Sequence, residues 1–227
     1  MLSPFVLESA QVRLEPLAAQ HAGPLAAAAA ADRRSYRLTW VPDGLDDARD
    51  YVAAALDGQA DGRALPFAVR RRADGAIVGS TRFLDLDVFA PPPPPWPPGV
   101  GRGPEPADDL PPSVAEIGST WYAAACQRTG INTACKLLLL GHAFDVWGTI
   151  RVTLKTDARN DASRRAIERL GALPEGVRRA HAPGLDGTIR DTAYYSIIAA
   201  EWPRVRDRLT AAQASGARRP AERLARP

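Results

Sequence analysis

Apolar and polar positions first alternate over Gln11-Val12-Arg13-Leu14-Glu15-Pro16, the two-residue period of a strand with one buried face. The Ala-rich stretch from His21 to Ala31 predicts a helix, and Asp46 to Leu56 predicts a second. Two apolar runs, Phe67 to Arg71 and Ile77 to Leu86, flank Asp74-Gly75, a dipeptide suited to a hairpin turn because both positions tolerate positive φ. Beyond residue 113 the pattern predicts a strand (Val114 to Tyr122), a turn, a helix (Thr133 to Trp147), a strand (Arg151 to Thr156) and a helix (Ala162 to Leu170). Two closing strands follow, near Ala172 to Ala182 and over Arg190 to Ile198, and then an amphipathic helix from Trp202 to Ala212. This order predicts an α/β (α+β) domain with one central sheet flanked by helices.

The alternation breaks between Phe89 and Pro112, where Pro and Gly dominate and residues 91 to 95 are all proline. Such a segment cannot donate to a sheet ladder, so residues 89–112 read as an insertion, a lid or a partner contact. A polyproline ligand for an SH3-type domain is the other reading. The length of 227 residues suits one domain, placed at 1–212, with 213–227 expected to be a disordered basic tail.

Charge refines that picture. The formal net charge is +3, yet the segment from Pro203 to Pro227 alone carries +5, which leaves the body at −2. A basic tail of Arg, Ala and Pro is expected to be solvated, so nucleic acid is not the expected partner. Cys126 and Cys135 have no Cys or His at ligand spacing, which argues against a metal centre or disulfide framework and for reduced thiols in a cytoplasm. No apolar run approaches the roughly 20 residues of a membrane span, so the expectation is a soluble cytoplasmic protein.

Gln127-Arg128-Thr129-Gly130-Ile131-Asn132 lies between a predicted strand and a predicted helix. Gly130 lets the backbone turn, and Asn132 or Thr133 is able to cap the helix. The arrangement aims successive N–H groups and the positive end of a helix dipole at one place, where a diphosphate fits. An ordinary helix entry is the other reading of the hexapeptide alone.

In context the segment resembles the Gln/Arg-x-x-Gly-x-Gly/Ala loop of the GNAT acyltransferases, with Asn132 standing where that family has Gly or Ala. Ala115 to Trp121 resembles the family's fourth strand, Arg159 to Ser163 its fifth-strand exit, and Ala166 to Gly171 its following helix. Arg190 to Ser196 is similar to the closing strand of the ribosomal-protein N-terminal acetyltransferase branch, and the likeness runs from Val12 to Trp202 outside the Pro-rich insertion. The resemblance implies a GNAT fold with a mixed, mostly antiparallel sheet of about seven strands, splayed between the fourth and fifth. It also implies acetyl-CoA as acyl donor, a primary amine (a protein N-terminus or a small molecule) as acceptor, and direct attack in a ternary complex. A longer donor such as succinyl-CoA, a non-catalytic acyl-CoA-binding module and a homodimer are compatible with the same fold.

The resemblance also assigns residues. Main-chain groups of Gln127, Arg128, Thr129, Gly130, Ile131 and Asn132 would hold the CoA pyrophosphate. Asn160 would hold the pantetheine arm or simply cap the helix, and a backbone N–H near Trp121 or Tyr122 would meet the thioester oxygen. Lys136 would add charge near the phosphates or be a solvated helix residue. Transfer to an amine needs a base, because an ammonium has no lone pair. Glu116 is the first candidate, beside apolar Ile117 and Trp121 that would raise its pKa, unless it faces solvent or pairs with an Arg. His181 is the second, unless it is structural. The tyrosine that many relatives offer to the departing thiolate is replaced by Ile167, and Ser163 matches the serine of the ribosomal-type branch as its donor. His21 and His142 read as packing or surface residues.

Overall fold

The computed structural model describes residues 2–89 and 110–224, with side chains described as far as Ala214. Most of the Pro-rich insertion and the last three residues of the tail therefore lie outside the described residues.

The elements in chain order are β1 (Leu7–Glu8), β2 (Val12–Pro16), α1 (Ala22–Ala30), α2 (Gly44–Ala60), β3 (Ala64–Arg71), β4 (Ile77–Asp87), β5 (Val114–Tyr122), α3 (Ile131–Gly141), β6 (Arg151–Asp157), α4 (Asp161–Leu170), β7 (Leu173–Pro183), β8 (Ile189–Ile198) and α5 (Trp202–Leu224). They form one eight-stranded sheet in the order β1-β2-β3-β4-β5-β6-β8-β7, in which only β5 and β6 run parallel. The strand missed in the sequence is β1, two residues long and too short to show a period. The strands counted fourth and fifth from the sequence are β5 and β6. The closing helix α5 continues past Ala212, where the sequence reading ends it, to Leu224.

Each face of the sheet buries a different group of helices. Val152 and Leu154 of β6, Tyr195 and Ile197 of β8, and Ala115 and Ile117 of β5 face a core completed by Leu139 and Leu140 of α3, Ile167 and Leu170 of α4, and Trp202 and Val205 of α5. On the other face α1 and α2 cover the N-terminal half, through Leu25, Tyr51, Val52, Ala68 and Trp121. Full burial of each large apolar side chain stabilises by roughly 1.5–3 kcal/mol. Among the described residues no helix packs on the C-terminal half of this second face, where Lys155 and Tyr194 face one another across the ladder.

β5 is where regular pairing fails. Its parallel pairing with β6 covers only Val114, Ala115 and Glu116, while its contact with β4 continues to Tyr122, so the strands splay beyond Glu116. Within the splayed part the register against β4 shifts, and Ser119 takes a left-handed φ of 46°. The extra residue of this bulge changes the parity of the strand. Ile117 and Tyr122, five positions apart, consequently face the same core, and Trp121 turns to the α1–α2 side.

Candidate active site

The loop after β5 has the shape its sequence predicts. Arg128 and Gly130 adopt left-handed φ of 61° and 92°, and α3 begins at Ile131. Among the described residues, no backbone N–H from Arg128 to Thr133 donates to another group of the chain; the first helical bond runs from Ala134 N–H to the Gly130 carbonyl. These amides converge at a helix N-terminus, the arrangement that binds anions. Neither Asn132 nor Thr133 caps the helix with its side chain: Gly130 occupies the cap position. The Gln127 side chain turns inward, its amide donating to Ser35 Oγ at 2.8 Å and to the Tyr122 carbonyl at 3.2 Å.

The segment between α1 and α2 lies across this loop. Tyr36 Oη donates to the Tyr122 carbonyl at 2.9 Å, and Thr39 Oγ1 lies 3.4 Å from Asn160 Nδ2. Asn160 caps α4, its Oδ1 accepting the Ser163 N–H at 3.0 Å, and its amide nitrogen points toward Thr39. Both roles offered for Asn160 are thus open to it, one per end of the amide. The Ser163 hydroxyl, half-buried in the first turn of α4, has no hydrogen-bond partner among the described residues. Trp121 and Tyr122 bury their side chains on opposite faces, the Trp121 ring edge-on to Tyr36 and Tyr51, so any contact they make with a donor is through the main chain.

On the second face of the sheet stands Glu116, 2% exposed, with Oε2 2.8 Å from Lys155 Nζ. It neither faces solvent nor pairs with an arginine: its partner is a lysine. Lys155 also lies 3.6 Å from Asp85. Burial pushes the Glu116 carboxyl above its ordinary range, Lys155 pulls against that shift, and Asp85 adds to it. A Cβ at Gly118 would lie 2.6 Å from Glu116 Oε1, so the absence of a side chain there makes room for the carboxylate.

His181 reaches the same face from β7. Its Nδ1 is 2.9 Å from Thr192 Oγ1 and its Nε2 is 3.4 Å from Tyr194 Oη. Tyr194 is the register partner of Lys155, so Glu116, Lys155, Tyr194 and His181 form a row across four strands. Burial, reinforced by Arg178, Lys155 and Arg190, holds the imidazole below its ordinary pKa.

Ile167 packs in the main core, 7% exposed. One expectation fails. Lys136 is neither solvated nor at the phosphate loop: it is 4% exposed, and its Nζ donates to Thr120 Oγ1 in the β5 bulge at 2.7 Å. The sequence signal was available, since Lys136 is the single polar residue in the run Ala134 to Leu140. His21 and His142 are packing residues: His21 meets Glu15 at 3.0 Å, and His142 stacks on Phe5. Among the described residues no group of His, Cys, Asp and Glu is arranged to hold a metal, and no helix is long and apolar enough to cross a membrane.

Known proteins resemble this chain in sequence and fold. Over 90 residues the chain is 38% identical to YdaF of Bacillus subtilis (strain 168), provisionally named a ribosomal N-acetyltransferase; the match covers 39% of this chain and about half, 47%, of that relative. A GCN5-related N-acetyltransferase from Brucella melitensis superposes with a TM-score of 0.76 at 27% identity, covering 92% of this chain and 86% of that one. Mycobacterium smegmatis RimJ, solved with CoA-disulfide, superposes with a TM-score of 0.71 at 22% identity, covering 92% and 95%, and at that identity shows likeness of fold. Residues 11–173, most of the chain, match the family described as the acetyltransferase (GNAT) domain, and the chain belongs to that family.

Proposed function

We propose that this protein is an N-acetyltransferase that carries the acetyl group of acetyl-CoA to a primary amine by direct attack in a ternary complex. The observation that carries the reading is the pairing of two features on one splayed strand. Unclaimed amides of residues 128 to 133 stand just past the end of β5, and a buried carboxylate, Glu116, stands where β5 leaves β6.

The chain's residues fit such a donor. The amides of the loop would take the pyrophosphate, and the second N–H of the Asn160 amide would take an arm lying between the loop and α4. The donor supplies a thioester whose carbonyl carbon accepts the amine. Glu116 is the better placed base, since a carboxylate with a raised pKa takes a proton from an ammonium more readily than an ordinary one. Lys155 keeps it ionised and oriented. His181 stands at the far end of the same row and is the rival base. Ser163 is the hydroxyl available to hydrogen-bond the departing sulfur.

The acceptor we favour is a protein N-terminus. YdaF is named for ribosomal acetylation, and that name supports the reading. Steady-state release of CoA thiol, measured with acetyl-CoA and peptides bearing free or blocked N-termini, tests the proposal. Turnover with free N-termini alone is expected. Tight CoA binding with no turnover on any amine would leave only a non-catalytic CoA-binding module.

A further inference from the structure

Only two of the chain's 29 basic residues are lysines, and both end up against β5: Lys155 on Glu116, and Lys136 on Thr120 from the opposite side. Every other cation is arginine, which cannot give up a proton in a protein. Lys136 reaches from α3 to the bulged, splayed part of β5, between the amide loop at the start of its own helix and the end of Glu116 pairing. One N–H bonds to Thr120 Oγ1, which meets Thr81 Oγ1 at 2.7 Å. Among the described residues it has no other hydrogen bond and no ion pair. A buried ammonium with unmet donors lacks a partner that a ligand in the splay can supply.

Resting on the acetyltransferase reading, we propose that Lys136 is the acid of the donor site, giving its proton to the CoA sulfur as the thioester breaks. The amine nitrogen bonds to the carbonyl carbon while Glu116 takes its proton. The carbon–sulfur bond then breaks with its electron pair on sulfur, and Lys136 Nζ passes a proton to that sulfur. When the products leave, the neutral Lys136 amine regains a proton from solvent and Glu116 releases to solvent the one it took. A serine hydroxyl such as Ser163 can hydrogen-bond a thiolate but does not surrender its proton near neutral pH, and Ile167 offers no proton at all.

Burial brings the Lys136 pKa down to about 8, where an acid both holds its proton and releases it. The titratable groups around it are Cys135, on its own helix and pushed up to about 12 by burial, and Glu116 from β5. Tyr122 of β5 faces Cys135 and is raised well above its ordinary value by burial.

With lysine as the sole isotope-labelled residue, the protein gives two side-chain NMR signals, and Lys136→Met identifies one. Titrated in complex with CoA and with desulfo-CoA, which lacks the sulfur, the Lys136 midpoint is expected to differ by about half a pH unit or more, because only CoA offers a sulfur to pair with Nζ. In turnover, Lys136→Met is expected to lose roughly a hundredfold with acetyl-CoA and little with an acetyl aryl thioester, whose acidic thiol leaves without help. Equal midpoints in the two complexes, or an equal loss on both donors, overturn the proposal. The wild-type titration decides it even if Lys136→Met does not fold. Absence of any CoA binding overturns the donor-site reading together with it, whereas CoA binding with equal midpoints overturns the role of Lys136 alone.

Discussion

Lys155 Nζ lies 2.8 Å from Glu116 Oε2 across the one parallel strand pair of the sheet, at the last point before those strands part. This contact opposes the rise that burial imposes on the carboxyl. A base at this position is tuned by two effects of opposite sign, and removing either moves it predictably.

Lys155→Met removes the effect that favours the charged form, so the Glu116 pKa rises further. The limb on which activity climbs with pH is expected to move to higher pH, with acetyl-CoA affinity unchanged. Glu116→Gln removes the base itself and is expected to lower kcat by roughly 100- to 10,000-fold. A pH profile for each variant, with donor affinity measured by calorimetry, checks both; a limb that stays in place in Lys155→Met assigns it elsewhere, with His181 first in line.

Asn160 has the oxygen of its amide in a cap, while its nitrogen donates one N–H to Thr39 and has a second to give, and two substitutions separate these. Asn160→Ala loses the cap and is expected to cost about 1 kcal/mol of stability as well as donor affinity. Asn160→Asp keeps an oxygen for the Ser163 N–H but has no amide donor. It is expected to hold its stability in denaturant unfolding while donor affinity falls. Equal donor affinity in wild type and Asn160→Asp would reduce Asn160 to a cap.

Gly130 sits at φ 92° with open space around its Cα, the nearest atom to an added Cβ being Gln11 Oε1 at 3.5 Å. The obstacle to Ala is therefore backbone strain of roughly 1–2 kcal/mol, not a collision. Gly130→Ala is expected to lose that much stability and to weaken CoA binding more than it weakens folding, because relaxing φ re-aims the neighbouring amides. Calorimetric CoA affinity set beside a urea midpoint makes the comparison.

What could be read from the sequence followed from what is local. The loop at 127–132 and the cap at Asn160 are short-range patterns of Gly and Asn, and both stand where the sequence put them. The pairing of Glu116 with Lys155 joins residues 39 positions apart in the chain, and no local period encodes that. Likewise the bulge at Ser119 breaks the alternation that a strand reading relies on, so the faces of Thr120 and Trp121 were not assignable. Lys136 was visible as a lone charge in an apolar run, but its target, Thr120, owes its direction to that same bulge.

A final prediction concerns stability away from the site. Glu15 bonds both to Arg70 and to His21. The Ala18 N–H donates to His21 Nδ1 at 3.0 Å, so that nitrogen carries no proton and the ring meets Glu15 through Nε2–H. The Arg70 hydrogen bond, more than the histidine, holds the Glu15 carboxyl below its ordinary 4.5. A depressed carboxyl pKa means that the unfolded chain binds the proton more readily than the folded one. The stabilisation is accordingly present above pH 4.5 and lost as pH falls through the lower folded value. Glu15→Gln is expected to lose roughly 1.5–3 kcal/mol at pH 7, the range for a hydrogen bond to a charged group, and less at an acid pH well below 4.5, where that stabilisation is being lost. Urea unfolding at the two pH values measures the difference, and a loss that is the same at both would mean that packing of the side chain, and not its charge, is what β2 and β3 gain from Glu15.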